Sequence, residues 1–186
     1  FTALTFALFK IGATPILIDP GMGKKNLIHS ISKVKPHALI AVQEVHFIKQ
    51  FFPDSFKSCQ IFISSGNLQL PQTKTLKKLK ERWVDDFLKE PFFKIEDRHP
   101  EDRAAILFTS GGTGIPKGVV YTYRIFSSQL KMLQGMFNLN HKEVDIPGFP
   151  LFSLFTIGIG MTSCIPDMNP SKPSQCDPEK LVQNIQ

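Results

Sequence analysis

The sequence predicts an α/β fold in which a layered, parallel-type sheet carries helices on both faces. Three short apolar runs of strand type lie at residues 14–18 (TPILI), 38–42 (ALIAV) and 61–63 (IFI), and helical patterns separate them. Apolar strands that alternate with helices are typical of a parallel sheet buried on both faces. A long glycine-rich loop at residues 109–118 lies between two further apolar runs and adds a strand–loop–strand hairpin.

Helices are predicted on either side of these strands. Residues 4–11 form the end of a helix that Gly12 closes, and residues 45–52 form a helix that ends before Pro53. A third helix ends before Pro36. Its apolar positions follow the three- and four-residue spacing of one helix face and are Leu27, Ile28, Ile31 and Val34.

The middle of the chain, residues 67–101, is polar and charged. One helix with a single apolar stripe is predicted there from Leu76, Leu79, Trp83 and Phe87. Basic residues lie on or near this helix at Lys74, Lys77, Lys78, Lys80 and Arg82. They allow an anion or nucleic-acid patch, but acidic residues interrupt them, which favours an ordinary solvated face.

The last third contains the hairpin and further helices. Strands are predicted at residues 104–108 and 119–123, and a third short strand at 162–165. Helices are predicted at residues 125–137 and 178–185. The remaining stretches, 147–155 and 167–177, are predicted to be irregular, the first rich in aromatic residues and the second a proline-containing loop. We therefore divide the chain into an α/β subdomain (1–66), a linking polar and helical segment (67–101) and a loop-containing segment (102–186).

Composition excludes several classes of protein. A chain of 186 residues that is 42% hydrophobic and 20% charged is globular rather than disordered. Its formal net charge of +6 allows anionic partners but selects none. Three scattered cysteines without a CxxC pair exclude a zinc ribbon or a thioredoxin motif, and they indicate a reducing, cytoplasmic setting. The five histidines lack the spacing of metal ligands.

The first residues fit neither a membrane span nor a signal peptide. The chain begins with Phe1, and Lys10, Gly12 and Pro15 interrupt its first apolar stretch. We expect the sequence to be the interior of a longer chain, with no membrane span.

The loop at residues 108–118 (FTSGGTGIPKG) carries the predicted chemistry. Glycines let the backbone turn several N–H groups toward one concavity, and such a nest binds anions, phosphate above all. Hydroxyls add donors and Lys117 adds a charge. The candidate binding residues are Thr109, Ser110, Gly111, Gly112, Thr113, Gly114 and Lys117.

Three other kinds of loop fit these residues less well. A Walker A loop requires Gly-Lys-Ser/Thr followed by a helix, whereas Lys117 precedes Gly118 and a strand pattern follows. A dinucleotide-binding loop opens a helix, which this loop does not. A flexible surface hairpin tip is usually two to five residues long, so a longer loop of this composition favours a function.

The string TSGGTGIPKG resembles the phosphate-binding loop of the adenylate-forming enzymes, the AMP-binding superfamily that contains acyl-CoA synthetases. The usual form is Thr-Ser-Gly-Ser/Thr-Thr-Gly-x-Pro-Lys-Gly, and this sequence departs from it only at Gly112, where a hydroxyl residue is usual. The stretch FKIGATPILIDPGMGKKNL resembles another family segment, and its DPGMG form is closer to long-chain acyl synthetases and, among them, olefin β-lactone synthetases. FPLFSLF resembles a segment near the acyl pocket, which makes Phe152 and Ser153 candidate pocket residues, with Ser153 where histidine is common.

The resemblance implies a fold, a reaction and its reactants. Residues 1–186 would be part of the large N-terminal domain of an enzyme that joins a fatty or other apolar carboxylic acid to ATP, releasing pyrophosphate. Transfer to coenzyme A or a carrier protein, or β-lactone closure, would follow. Lys117 would be catalytic, and the main Mg²⁺ ligand would lie outside this chain, which by itself would be inactive.

Two other functions remain open from the residues alone. The loop's anion chemistry also suits a non-catalytic nucleotide- or phosphate-binding module. The basic helix would suit a nucleic-acid-binding domain, although we expect no nucleic-acid partner.

Overall fold

A computed structural model describes residues 1–89, 94–109 and 114–185 of the chain. Helices and strands alternate along it, so the α/β class is confirmed. The helices are α1 (Thr2–Lys10), α2 (Lys24–Val34), α3 (Gln43–Phe51), α4 (Leu76–Lys89), α5 (Tyr123–Phe137), α6 (Phe152–Ile159) and α7 (Pro178–Ile185). The strands are β1 (Ile16–Leu17), β2 (Ala38–Ala41), β3 (Ile61–Ser64), β4 (Lys74–Thr75), β5 (Arg103–Thr109), β6 (Lys117–Thr122), β7 (Val144–Asp145) and β8 (Thr162–Ser163).

The strands form small sheets in which parallel pairing predominates. One sheet has the order β1-β5-β6, and Ile16 of β1 lies opposite Ile106 of β5 in a parallel register. A second has the order β2-β3-β4, parallel throughout, with Ala38 opposite Ile61. β7 and β8 form a third, parallel pair. The predicted parallel arrangement is confirmed.

The chain divides into two compact units. One comprises Phe1–Leu17, Ile95–Leu107 and Val119–Gln186, and the other comprises Ile18–Lys94 and Phe108–Gly118. Each is described by itself below. The three-segment division drawn from the sequence stays a prediction.

The second unit has an apolar core between α2, α3 and a short 3-10 helix at Pro53–Phe56. The apolar face of α2 that the sequence predicts is inside, because Leu27 and Ile31 are 7% and 1% exposed. The buried residues of this core are Leu27, Ile31, Val45, Phe56 and Cys59. Side chains of β2 and β3, among them Leu39 and Phe62, pack against it.

The first unit is held together by aromatic rings. Phe126 of α5 lies 5.9 Å from Phe9 of α1, 5.0 Å from Tyr121 of β6 and 5.7 Å from Phe155 of α6, measured between ring centroids. Offset and edge contacts at these separations stabilise a core beyond the area that they bury. Four elements thus meet at one phenylalanine.

Most predicted elements are confirmed, and the exceptions have a physical cause. The prediction of an irregular segment over residues 147–155 is wrong for its second half, because α6 begins at Phe152. This helix is apolar on nearly all sides, so it lacks the polar face on which a helical period depends. Strands β4 and β7 were not predicted, since each has two residues, too few to show alternation.

Within the described residues, no helix combines the length and apolarity that crossing a bilayer requires.

Helix α3 carries one buried histidine. His46 is 1% exposed, and its Nε2 donates to the Ile63 carbonyl of β3 at 3.1 Å, which leaves Nδ1 as the unprotonated nitrogen of a neutral ring. Within the described residues Nδ1 has no hydrogen-bond partner. Burial lowers the pKa of His46 below its ordinary value of 6.5, and the Lys49 ammonium adds to this while the carbonyls of Ile63 and Ala41 oppose it.

This burial predicts acid sensitivity. Below pH ~6.5 the unfolded chain binds a proton at His46 that the folded chain does not, so the free energy of unfolding falls as the pH falls toward the lowered pKa. We expect His46→Gln, which cannot titrate, to flatten the decline in melting temperature between pH 7 and 5. His29→Gln, at an exposed position, is the control. An equal decline in the wild type and in His46→Gln would contradict the prediction.

Candidate functional site

The phosphate-binding candidate begins where a buried strand ends. In β5, Ala104 and Ala105 are fully buried and Leu107 and Phe108 nearly so, because this strand is the central one of its sheet. Thr109, the last residue of β5, is exposed. The buried strand therefore anchors the loop, which begins at the solvent-exposed hydroxyl residue Thr109.

The buried Pro116 anchors the end of the loop that leads into β6. Pro116 is among the most deeply buried side chains, whereas its neighbours Ile115 and Lys117 are exposed. Gly114 has a φ of +78°, a conformation that side chains disfavour, although no atom lies within 4 Å of where its Cβ would be. The glycine is needed there for the backbone and not for space.

The loop is the turn of a hairpin. β5 and β6 are neighbours in one sheet, and only residues 110–116 connect them. A parallel pair needs a crossover of about a dozen residues or more, so this connection permits only an antiparallel hairpin. Thr109 and Lys117 consequently flank the same end of the sheet, as the sequence predicted. Ser110, Gly111, Gly112 and Thr113 lie outside the described residues and stay predictions.

Two hydrogen bonds join residues 98–102, which precede β5 in the first unit, to the end of α1 and to the start of α5. Arg98 donates to the carbonyl of Gly12, a residue with a φ of +68° that closes α1. The carbonyl of Asp102 accepts from the N–H of Tyr123, at the start of α5, at 3.2 Å. Burial raises the pKa of the Tyr123 hydroxyl. These two hydrogen bonds were not predicted from the sequence, although the run of charged residues before 104–108 was a signal for them.

The second candidate segment, residues 149–155 (FPLFSLF), contains both buried and exposed side chains. Ser153 is fully buried, and its Oγ donates to the Pro150 carbonyl at 2.6 Å. Phe152 is 57% exposed, and its ring meets that of Phe149 edge-on at 5.9 Å. The two candidate pocket residues thus differ: Phe152 is accessible from solvent, and the Ser153 hydroxyl is engaged inside the protein.

The described residues offer no metal centre. Among them, no group of three or more His, Cys, Asp or Glu side chains is placed to hold an ion.

Comparison with known proteins identifies the family. The family model described as AMP-binding enzyme matches residues 1–170. The chain belongs to the AMP-binding enzyme family. It is 39% identical over its whole length to an olefin β-lactone synthetase of Stenotrophomonas maltophilia and 38% identical, over 97% of its length, to one of Xanthomonas campestris pv. campestris. It spans 33% and 32% of these relatives, about a third of their length.

A solved structure shows that the fold also agrees. A long-chain-fatty-acid-CoA ligase from Archaeoglobus fulgidus superposes with a TM-score of 0.67 at 20% identity, over 86% of this chain and 31% of that one. The resemblance drawn from the phosphate loop is therefore confirmed at the level of family and fold, and the AMP-binding chain corresponds to one part of such an enzyme.

The departure at Gly112 leads to a prediction. Gly112→Ser restores the hydroxyl that is usual in the adenylate-forming family, and one neutral hydrogen bond contributes about 0.5–1.5 kcal/mol. We expect the serine variant to hold or raise the affinity for ATP, measured by calorimetry on the full-length protein. Gly114→Ser, at a position with positive φ, is the control and should weaken binding. Loss of nucleotide binding in Gly112→Ser would show that the backbone needs glycine there as well.

Proposed function

We propose that this protein serves in the ATP-dependent activation of an apolar carboxylic acid. The observation that carries the proposal is the phosphate-loop sequence itself, set between β5 and β6, with Thr109 and Lys117 exposed at its two ends, in a chain of the AMP-binding family. The family implies ATP as the nucleotide, and the olefin β-lactone synthetases at 38–39% identity favour a fatty or similar acid.

The reaction is a displacement at phosphorus. A carboxylate oxygen of the acid attacks the α-phosphorus of ATP, the bond from that phosphorus to the bridging oxygen breaks, and its electron pair leaves with pyrophosphate. The acid is already ionised at pH 7, so no general base is required. The barrier is largely electrostatic, because two anions must meet and charge grows on the departing phosphates.

The loop's donors suit that barrier. The ammonium of Lys117 supplies a full positive charge that forms no ion pair with any of the residues that the structure describes, and the Thr109 hydroxyl supplies a donor at the other strand end. Ser110, Gly111, Gly112, Thr113 and Gly114 complete the proposed cradle through hydroxyl and backbone N–H groups. Fixed donors of this kind stabilise leaving charge without reorganising.

The described residues do not by themselves fit Mg²⁺. With no carboxylate cluster among them, we propose that the main ligand of the metal lies elsewhere in the full-length protein, and no step is assigned to the ion here. The 186-residue chain alone is accordingly expected to be inactive.

The second half-reaction consumes the acyl-adenylate. A thioester forms if the thiol of coenzyme A or of a carrier protein attacks the acyl carbon, and a β-lactone forms if the acid's own hydroxyl attacks it. In either case the bond from the acyl carbon to the phosphate oxygen breaks, its electron pair leaves with AMP, and the attacking group loses its proton to solvent. The olefin β-lactone synthetase relatives support the second outcome, and the long-chain-fatty-acid-CoA ligase shares the fold alone.

The three cysteines are free, which supports our placing the protein in the reducing cytoplasm.

Pyrophosphate exchange tests the proposed function. The full-length protein is given ATP, Mg²⁺ and labelled pyrophosphate, with and without each of a panel of straight-chain and 3-hydroxy fatty acids. We expect label to enter ATP only when an acid is present. Binding of ATP without exchange for any acid would contradict the proposal and favour a non-catalytic nucleotide-binding module.

A further inference from the structure

One hydrogen-bonded chain joins the first helix to the start of α6. Thr2 Oγ1 lies 2.7 Å from Ser153 Oγ, across 151 residues of sequence, and Ser153 Oγ donates to the Pro150 carbonyl at 2.6 Å. A hydroxyl has a single proton, so the proton of Ser153 is committed to Pro150 and Thr2 must be the donor to Ser153. The chain of donors therefore runs from Thr2 through Ser153 to Pro150.

The hydrogen bonds of Thr2 and Ser153 reach the turn at which α6 begins. α6 begins without a side-chain cap. The backbone there forms two successive tight bonds, from the N–H of Phe152 to the Phe149 carbonyl at 3.0 Å and from the N–H of Ser153 to the Pro150 carbonyl at 3.3 Å. Ser153 is completely buried, so its hydroxyl would lack a donor if Thr2 were removed.

The turn presents two aromatic rings to solvent. Phe149 and Phe152, on either side of Pro150, are 39% and 57% exposed, and their rings meet edge-on. The next aromatic residue, Phe155, contacts Phe126. A displacement of the turn would move both exposed rings, because Phe149 and Phe152 are the two residues that its first backbone hydrogen bond joins.

We propose that Thr2 is a positioning residue for the acyl substrate: through Ser153 it sets where the Phe149–Phe152 pair meets the apolar chain. This rests on the proposed function, in which an apolar acid is activated. Neither hydroxyl touches the substrate, and their effect on it runs through the two rings.

Removal of the donor tests this role in the full-length protein. Thr2→Val is expected to raise the KM for fatty acids about three- to tenfold, the range that one hydrogen bond accounts for, and to change the preferred chain length. The KM for ATP and the kcat should stay within about twofold. Thr5→Val is the matched control, because Thr5 is buried on the same helix and its hydroxyl bonds only to the Phe1 carbonyl among the contacts of the described residues.

Two further variants test whether the effect of Thr2 depends on its hydroxyl and on Ser153. Thr2→Ser retains the donor and should restore the wild-type KM, which also serves if Thr2→Val fails to fold. Ser153→Ala removes both hydrogen bonds of the chain and should raise the KM for the acid at least as much as Thr2→Val does. The double variant should be no worse than Ser153→Ala alone, because Thr2 acts through Ser153.

Three results would overturn the inference, and the last is distinguishable from the first two. A Thr2→Val variant that behaves as Thr5→Val does, or a Thr2→Ser variant with a raised acid KM, would overturn the positioning role alone. A wild-type protein without acid-dependent exchange would overturn the proposed function and the positioning role together.

Discussion

Lys117→Ala is expected to slow acid-dependent pyrophosphate exchange by about 30- to 1,000-fold. The side chain is exposed at the first position of β6, directly after the buried Pro116, so it is free to meet the departing phosphates. Loss of one fixed donor to a developing anion costs about 2–4 kcal/mol of transition-state stabilisation, which corresponds to that range of rates. Binding of the acid should change little, since the lysine acts on the phosphates.

Two controls separate charge from geometry at this position. Lys117→Arg keeps the charge and should recover part of the rate, whereas Lys131→Ala removes an exposed lysine from α5 and should have no effect. Exchange by Lys117→Ala at a rate close to the wild type would exclude this residue from the leaving-group contact, even if the family assignment stands.

Ile31→Ala is expected to destabilise the protein by about 2–5 kcal/mol. Ile31 is 1% exposed in the apolar core of the second unit, where α2 packs with α3 and the Pro53–Phe56 3-10 helix. Truncation of such a side chain loses its transfer free energy and leaves a cavity that the neighbours fill only in part. Urea denaturation followed by circular dichroism measures the loss.

The neighbouring positions provide the controls for this core prediction. Ile31→Val removes one methylene group and should cost about 0.5–1.5 kcal/mol. Ser32→Ala, on the exposed side of α2, should change the free energy of unfolding by less than about 0.5 kcal/mol. If Ile31→Ala were no worse than Ser32→Ala, the described core would not be the stabilising one.

The sequence was informative wherever a local pattern determines structure. The face of α2 is set by the spacing of Leu27 and Ile31, and both are buried as predicted. The hairpin around the phosphate loop followed from two apolar runs with glycines between them, and β5 and β6 are neighbours. Periodicity and turn residues act over a few positions, so one sequence is enough to find them.

Contacts between residues that are far apart in the sequence could not be predicted from local patterns. Nothing near Thr2 indicates that it bonds Ser153, and nothing near Phe9 indicates that it lies beside Phe126, because tertiary packing alone brings these pairs together. Helix α6 was not predicted for a different reason: it is apolar on nearly all sides, so its sequence shows no polar face. The hydrogen bond from the Ser153 hydroxyl to the Pro150 carbonyl has no local sequence signal either, and the role of Ser153 as a pocket residue stays a prediction.

The fate of the acid's oxygen tests the central claim most directly. The full-length protein is given ATP and a fatty acid labelled with ¹⁸O in its carboxylate, and the products are analysed by mass spectrometry after the acyl group has left. Attack on the α-phosphorus leaves one acid oxygen on AMP, so we predict AMP that carries a single ¹⁸O and pyrophosphate that carries none. Label in inorganic phosphate with ADP as the nucleotide product would mean attack on the γ-phosphorus, and it would contradict adenylate formation by this protein.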